Sequence, residues 1–529
     1  MANRGAQPQV FAISAIFDKV LRRGESRIKI IALERYRPFR ALTATLQRSL
    51  AIYVLNAYLR WLRFRRPMPP DIEIPPTILK EPQSPIAPQG WELDMLLREV
   101  ILNSSESSTG DLRRWAQLAN IVNALRNFEN ELDGELLFEY DGRGLLQLYR
   151  IAHRQFEWQI PLSLHLMARY YKIFSDAAVE QLVIQRYGID SLTLYRVGLA
   201  CCGIFLDRAI APMPITNSLK AISAGTAEDV LRRLRVSLSD LQVRIGSEQS
   251  YDIDYFYTFN PLRLHPLIDM TIEGRPYLVC PVPDYLFRRI TEGIYFDIVT
   301  QNGFASAFGD SFQKYVGEAL QRAARGRLYV LSETTYGSAK AKKRTVDWIT
   351  GDDTADLFIE CKTKRVRYAA KIALSDIALL EEGIAVMAAA VVQIYKTLQD
   401  ALAGHYPQWK PRGLPIFPLV VTLEEWSLFN HQLIAMLDEQ VQEVMRKTNM
   451  PLTLLNDYPF SICSVDELEQ AAQVQSMVGV APVMQARLQG EHRLWLLKSV
   501  LQKSFPDALA NCQGNLFPEV DATITGPVA

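Results

Sequence analysis

Thr345-Val-Asp-Trp-Ile-Thr-Gly-Asp-Asp-Thr-Ala-Asp-Leu-Phe-Ile-Glu-Cys-Lys-Thr-Lys-Arg365 sets two apolar runs, residues 346–349 and 355–361, on either side of Gly351-Asp352-Asp353-Thr354. Turn-forming residues between two short apolar runs read as a β-hairpin. Side chains on a strand alternate faces, so Glu360 and Lys362 project together while Leu357, Ile359 and Cys361 project the other way. The hairpin therefore holds a carboxylate and an ammonium side by side. Asp347 stands on the adjoining strand, within reach of the same spot if the register allows.

Working outward, residues 304–324 carry Phe308, Phe312, Tyr315, Ala319 and Ala323 on one helical stripe, with Gly326 as the expected stop. Residues 328–331 read as a first strand, which makes a three-stranded meander with the hairpin. A long helix follows over 376–402, with Gly383 as a candidate kink. Then come a strand over 414–423, a helix over 424–447, a strand over 460–465, a helix from Asp466 and an amphipathic helix over 485–505. Alternating helices and strands argue for an α/β layer structure. The tail from Pro506 shows little helix signal and is expected to pack loosely.

Asp on one strand and Glu-x-Lys on the next, behind an amphipathic helix, resembles the PD-(D/E)XK nuclease superfamily, the restriction-endonuclease-like fold. The match lies in Asp347, Glu360, Cys361 and Lys362, with Val346 where the family name has proline, and extends over about 190 of the 529 residues. The resemblance implies an α/β restriction-endonuclease-like C-terminal domain, a mixed sheet between helices. It implies a metal-dependent nuclease acting on nucleic acid, DNA favoured, with Mg²⁺ or Mn²⁺ as cofactor. Asp347, Glu360 and the backbone carbonyl of Cys361 would hold the ion, and Lys362 would position or deprotonate the attacking water. Glu318, beside the stripe of the preceding helix, and Gln393, on the long helix, are further candidates carried over from the family. Hard oxygen donors are what Mg²⁺ takes. The bland reading of Glu360 and Lys362 is a surface ion pair, worth ~0.2–1 kcal/mol.

Basic runs flank the carboxylates: Lys340, Lys342, Lys343 and Arg344 before them, Lys364, Arg365 and Arg367 after. Such a rim suits a phosphodiester backbone, although charge runs are also found merely solvated. The chain as a whole is neutral, with 58 basic and 58 acidic residues, so any nucleic-acid footprint must be local.

The rest of the chain identifies no chemistry. Residues 1–66 read as a basic helical arm; its end, Arg60-Trp-Leu-Arg-Phe-Arg-Arg66, suits either a nucleic-acid or membrane-surface helix or one packed on a neighbour. Residues 67–90 hold eight prolines and read as a stiff linker. Residues 91–295 read as a mostly α-helical scaffold, oligomerisation or recognition region with a mixed bridging layer; 296–505 would be the nuclease-like domain and 506–529 the tail. His153, His165 and His265 sit among apolar residues and read as structural, and the six cysteines show no metal spacing. No signal peptide, no apolar run approaching ~18 residues and no P-loop is present, which fits a soluble, cytoplasmic protein with no membrane partner. A homo-oligomer or protein partner through the helical region, and a role in prokaryotic defence or repair, are expectations by analogy. The alternative function is a catalytically inactive nuclease-fold module for nucleic-acid binding or assembly.

Overall fold

In the computed structural model, the described residues are 32–526 apart from 83, 140–143, 160, 161, 163, 216–222, 253, 366–376 and 427–430. They fall into two compact units, one within residues 1–162 and 197–290 and the other within 163–196 and 291–527.

In the first unit, helix α1 (Arg48–Phe64) is apolar on most of its surface and packs against helix α2 (Gly90–Asn103). Its arginines are tied inward. Arg60 donates to the carbonyls of Leu206 and Asp207 at 3.2 and 2.7 Å, and Arg63 meets the buried Asp284 at 2.7 Å. A guanidinium placed on the last carbonyls of another helix satisfies groups that have no partner within that helix. This arrangement matches the reading of a helix packed on a neighbour. The proline-rich stretch is not a free linker. Ile72, Ile78 and Ala87 are buried in this unit, and Glu73 N–H bonds the Arg113 carbonyl at 2.8 Å. Proline restricts the chain there, but its apolar residues still find a core. A small sheet of β1 (Ile210–Pro212), β2 (Arg235–Ser237), β3 (Leu267–Ile272) and β4 (Arg275–Val279), in the order β1-β4-β3-β2, completes the unit.

The second unit is built on a five-stranded mixed sheet. Strands β5 (Tyr329–Ser332), β8 (Trp348–Gly351) and β9 (Asp356–Lys362) form the expected antiparallel meander; β10 (Ile416–Thr422) and β11 (Ser461–Ser464) continue it in parallel, in the order β11-β10-β9-β8-β5. Every residue of β10 is buried, as a parallel strand covered on both faces requires. Between β5 and β8 the chain forms a separate hairpin, β6 (Thr335–Ser338) and β7 (Ala341–Arg344), where only a basic run was expected.

Two helices cover opposite faces of this sheet. Helix α3 (Phe304–Ala324) lies on the Trp348 face: a Cβ on Gly317 would collide with the indole ring, and Trp348 Nε1 donates to the Gln313 carbonyl at 2.9 Å. Helix α4 (Ile377–Leu402) lies on the other face and runs unbroken through Gly383. Helix α5 (Val465–Val478) follows β11 with a capping box from Ser464 and Glu467. Residues 485–505 are not one helix but three pieces: the end of Val480–Leu488, a 3₁₀ turn and Leu497–Ser504. The tail is not loose either. Phe517 is fully buried, its ring 5.2 Å from that of Tyr315, and Arg322 pairs with Glu519 at 2.5 Å.

Candidate metal and phosphodiester site

The strand registers decide which side chains meet. Ser332 faces Trp348, and Trp348 faces Ile359. Residues directly opposite in antiparallel strands share a face. One step further, Asp347 comes beside Glu360, and Glu333, the residue after β5, stands across from the Val346–Asp347 step. The row beneath is Leu331, Ile349 and Phe358, and Phe358 is closed over by Tyr406 and Trp409. The carboxylates thus rest at the end of the sheet on an apolar floor, on the α4 face.

Asp347 Oδ2 accepts the Cys361 backbone N–H at 2.7 Å. Lys362 Nζ donates to Glu360 Oε1 at 2.7 Å and to Gln393 Oε1 on α4 at 3.1 Å. Glu360 is only 3% exposed, while Gln393 lies in the open, so the cluster is approached from the Lys362–Gln393 side. Both carboxyls titrate high. Burial chiefly, then the neighbouring Asp347 charge, lifts Glu360 to about 7; burial lifts Asp347 to about 6 against the Cys361 hydrogen bond and the Lys362 charge. Glu333 adds a further repulsive contribution at both. Glu360, buried, and Asp347, half-buried, are lifted chiefly by loss of water and are poised to exchange protons for a cation.

The donor set fits a hard divalent ion. Asp347 and Glu360 supply carboxylate oxygens. The backbone of β9 alternates sides: the Lys362 carbonyl accepts from Leu423 towards β10, whereas the Cys361 amide points to Asp347. The Cys361 carbonyl therefore lies on the Asp347 side as well, where an ion could take it.

Several expected residues are elsewhere. Glu318 sits on α3, which covers the opposite face, and pairs with Lys172 at 2.7 Å; the helix face is set by the Gly317–Trp348 contact. Arg365 is no part of an exposed rim. It is buried, 3.0 Å from Glu424 and 4.1 Å from the centre of the Tyr295 ring. Lys343 pairs with Asp400 and Arg344 with Glu333, whereas Lys340, Lys342 and Lys364 are exposed. Arg367 lies outside the described residues. The turn acid Asp352 accepts the Val480 N–H at 2.9 Å, so it caps a helix rather than serving the site. Glu333 was missed; it follows β5 in no motif, and only the register reveals it.

A second group of potential ligands, His165, Asp466 and Glu469, has ligand atoms within 4.8 Å of one another. Arg169 already fills it, donating to Glu469 at 2.9 Å and to Asp466 at 2.8 Å. Burial pushes the Glu469 carboxyl up, but the Arg169 charge and His165 outweigh it and hold it at about 2. This is a core network with its cation, Arg169, already in place.

Among the described residues no single helix is long and apolar enough to cross a membrane; one bent pair, Ala177–Tyr187 with Ser191–Asp207, passes only jointly. No family model, curated protein or solved structure matches this chain.

Proposed function

We propose that the second unit is a divalent-metal-dependent phosphodiester hydrolase acting on nucleic acid, with a restriction-endonuclease-like core. The observation that carries this reading is the meeting of Asp347, Glu360, Lys362 and Gln393 at one end of the interior strands β8 and β9. The strand order, an antiparallel meander continued by parallel strands between helices, supports it. DNA is the favoured substrate by resemblance, and a place in defence or repair rests on the same analogy.

Asp347, Glu360 and the Cys361 carbonyl would hold Mg²⁺ or Mn²⁺. A bound ion would polarise the phosphoryl group and supply a water of lowered pKa. Lys362, fixed by Glu360 and Gln393, brings one positive charge to the edge of the carboxylate row. There it can orient a water or meet a non-bridging oxygen, and a positioned group of this kind contributes roughly 10²–10⁴-fold. Gln393 accepts from the ammonium and holds it at the open side of the cluster. Lys340 and Lys342, on the β6–β7 hairpin, are exposed cations available for the substrate backbone.

One observation favours the alternative of an inactive binding module: Lys362 already occupies Glu360 Oε1, and Glu360 is nearly buried. Cleavage of single- and double-stranded DNA and RNA with Mg²⁺ or Mn²⁺ against chelator separates the two. Activity lost in a Glu360→Gln protein that is still cooperatively folded supports the hydrolase; nucleic-acid binding without cleavage in every metal supports the module.

A further inference from the structure

We propose that Glu333 is a third carboxylate ligand of this ion site and that Arg344 restrains it while no ion is bound. The inference rests on the metal-site reading above and adds a residue to it. Three observations converge on Glu333. It is the residue after Ser332, which pairs with Trp348, and so stands across from the Val346–Asp347 step at the end of β8. The crossing is pinned just beyond: Thr345 N–H donates to the Thr334 carbonyl at 3.0 Å, and Thr334 N–H to Thr345 Oγ1 at 2.9 Å. This pairing is one residue out of step with that of β5 and β8, so an extra residue bulges on the β8 side and Glu333 is bracketed across from the Val346–Asp347 step. Its charge also reaches both Asp347 and Glu360.

Glu333 is engaged by Arg344 at 3.4 Å, an ion pair whose arginine is 75% exposed and whose glutamate is 23% exposed. At that distance and exposure the pair is weak and screened, so it is easily exchanged for a cation. Arg344 ends β7, in the same hairpin as Lys340 and Lys342. When an ion takes Glu333, Arg344 is freed at the margin of the site, where it adds to the cations available for a phosphate. Metal loading and substrate binding are thereby linked through one ion pair.

The test titrates the full chain with Mn²⁺, read by electron paramagnetic resonance of the free ion and by calorimetry, in wild type, E333Q, E333D, R344Q and E360Q. E333Q should weaken Mn²⁺ binding by about 10-fold or more, since even outer-shell partners of a metal command that range. E333D keeps the charge and shortens the reach, so it should also weaken binding. Unchanged affinity in E333D would mean that the residue acts only through its field and would overturn ligation. R344Q should tighten binding; an unchanged or weaker value overturns the restraint. If E360Q abolishes binding while E333Q binds as wild type does, the inference fails and the metal site stands. If wild type binds no Mn²⁺, the metal-site reading fails and the inference falls with it.

Discussion

Raising the pH of the metal-free protein from 5 to 8 should destabilise the second unit, and Glu360→Gln should remove most of that dependence. Burial and the Asp347 charge lift Glu360 from 4.5 to about 7. A carboxyl that binds its proton more tightly folded than unfolded contributes stability that is complete below the unfolded value. That stability is lost as pH climbs through the folded value, the reverse of a salt-bridged carboxylate. The gap between 4.5 and about 7 corresponds to about 3 kcal/mol. Asp347, lifted to about 6 chiefly by burial, stands beside Glu360, so about 3 kcal/mol serves for the pair rather than for each member. In a unit of this size that is roughly 5–10 °C of melting temperature. Asp133 in the first unit is also lifted to about 6, so the readout is the difference between wild type and E360Q, not the wild-type profile alone. The assay is a thermal melt in chelator at half-unit pH steps. Adding Mg²⁺ at pH 8 should raise the wild-type melt and leave E360Q unmoved. Parallel pH profiles for the two proteins would refute the reasoning, because they would mean that Glu360 is not held protonated by its surroundings.

Gly317→Ala forces a methyl into the Trp348 ring, and such overpacking should cost about 3 kcal/mol, read by denaturant titration. Arg169→Met leaves the buried Glu469 without its guanidinium and should cost about 3–5 kcal/mol; adding Glu469→Gln should return part of it. A K340A/K342A double variant should weaken nucleic-acid binding and reduce the slope of log affinity against log salt by about 1–2, because each phosphate a cation neutralises adds ~0.9 to that slope. An unchanged slope would remove the hairpin from the substrate interface.

The legible part of the site was local. A turn between two apolar runs, with Glu and Lys two apart, needs only the alternation of a strand to bring Glu360 and Lys362 together, and that is how they lie. Gln393 was reachable only through resemblance, since nothing in a helix sequence says which residue touches a strand. The rest depended on partners distant in sequence. Glu318 was misplaced because the face α3 presents is chosen by one glycine meeting one tryptophan across the unit. Glu333 was invisible because its neighbours come from two registers read in succession. Arg365 looked like a rim cation; its cage of Tyr295, Phe296 and Glu424 comes from segments far away in sequence on either side. Prolines in residues 67–90 argued correctly against long helices, but say nothing about whether Ile72 and Ile78 find a core. That residues 163–196 join the second unit across an intervening segment of the first was not legible.

The most direct test of the central claim pairs cleavage with ion binding in two variants. The account predicts that Lys362→Ala still binds Mn²⁺ but does not cut, because the ammonium serves the reaction and not the ion, while Glu360→Gln neither binds nor cuts. A Lys362→Ala protein that cleaves nucleic acid at the wild-type rate, or a wild-type protein that binds Mn²⁺ yet hydrolyses no phosphodiester in any substrate tried, would contradict it.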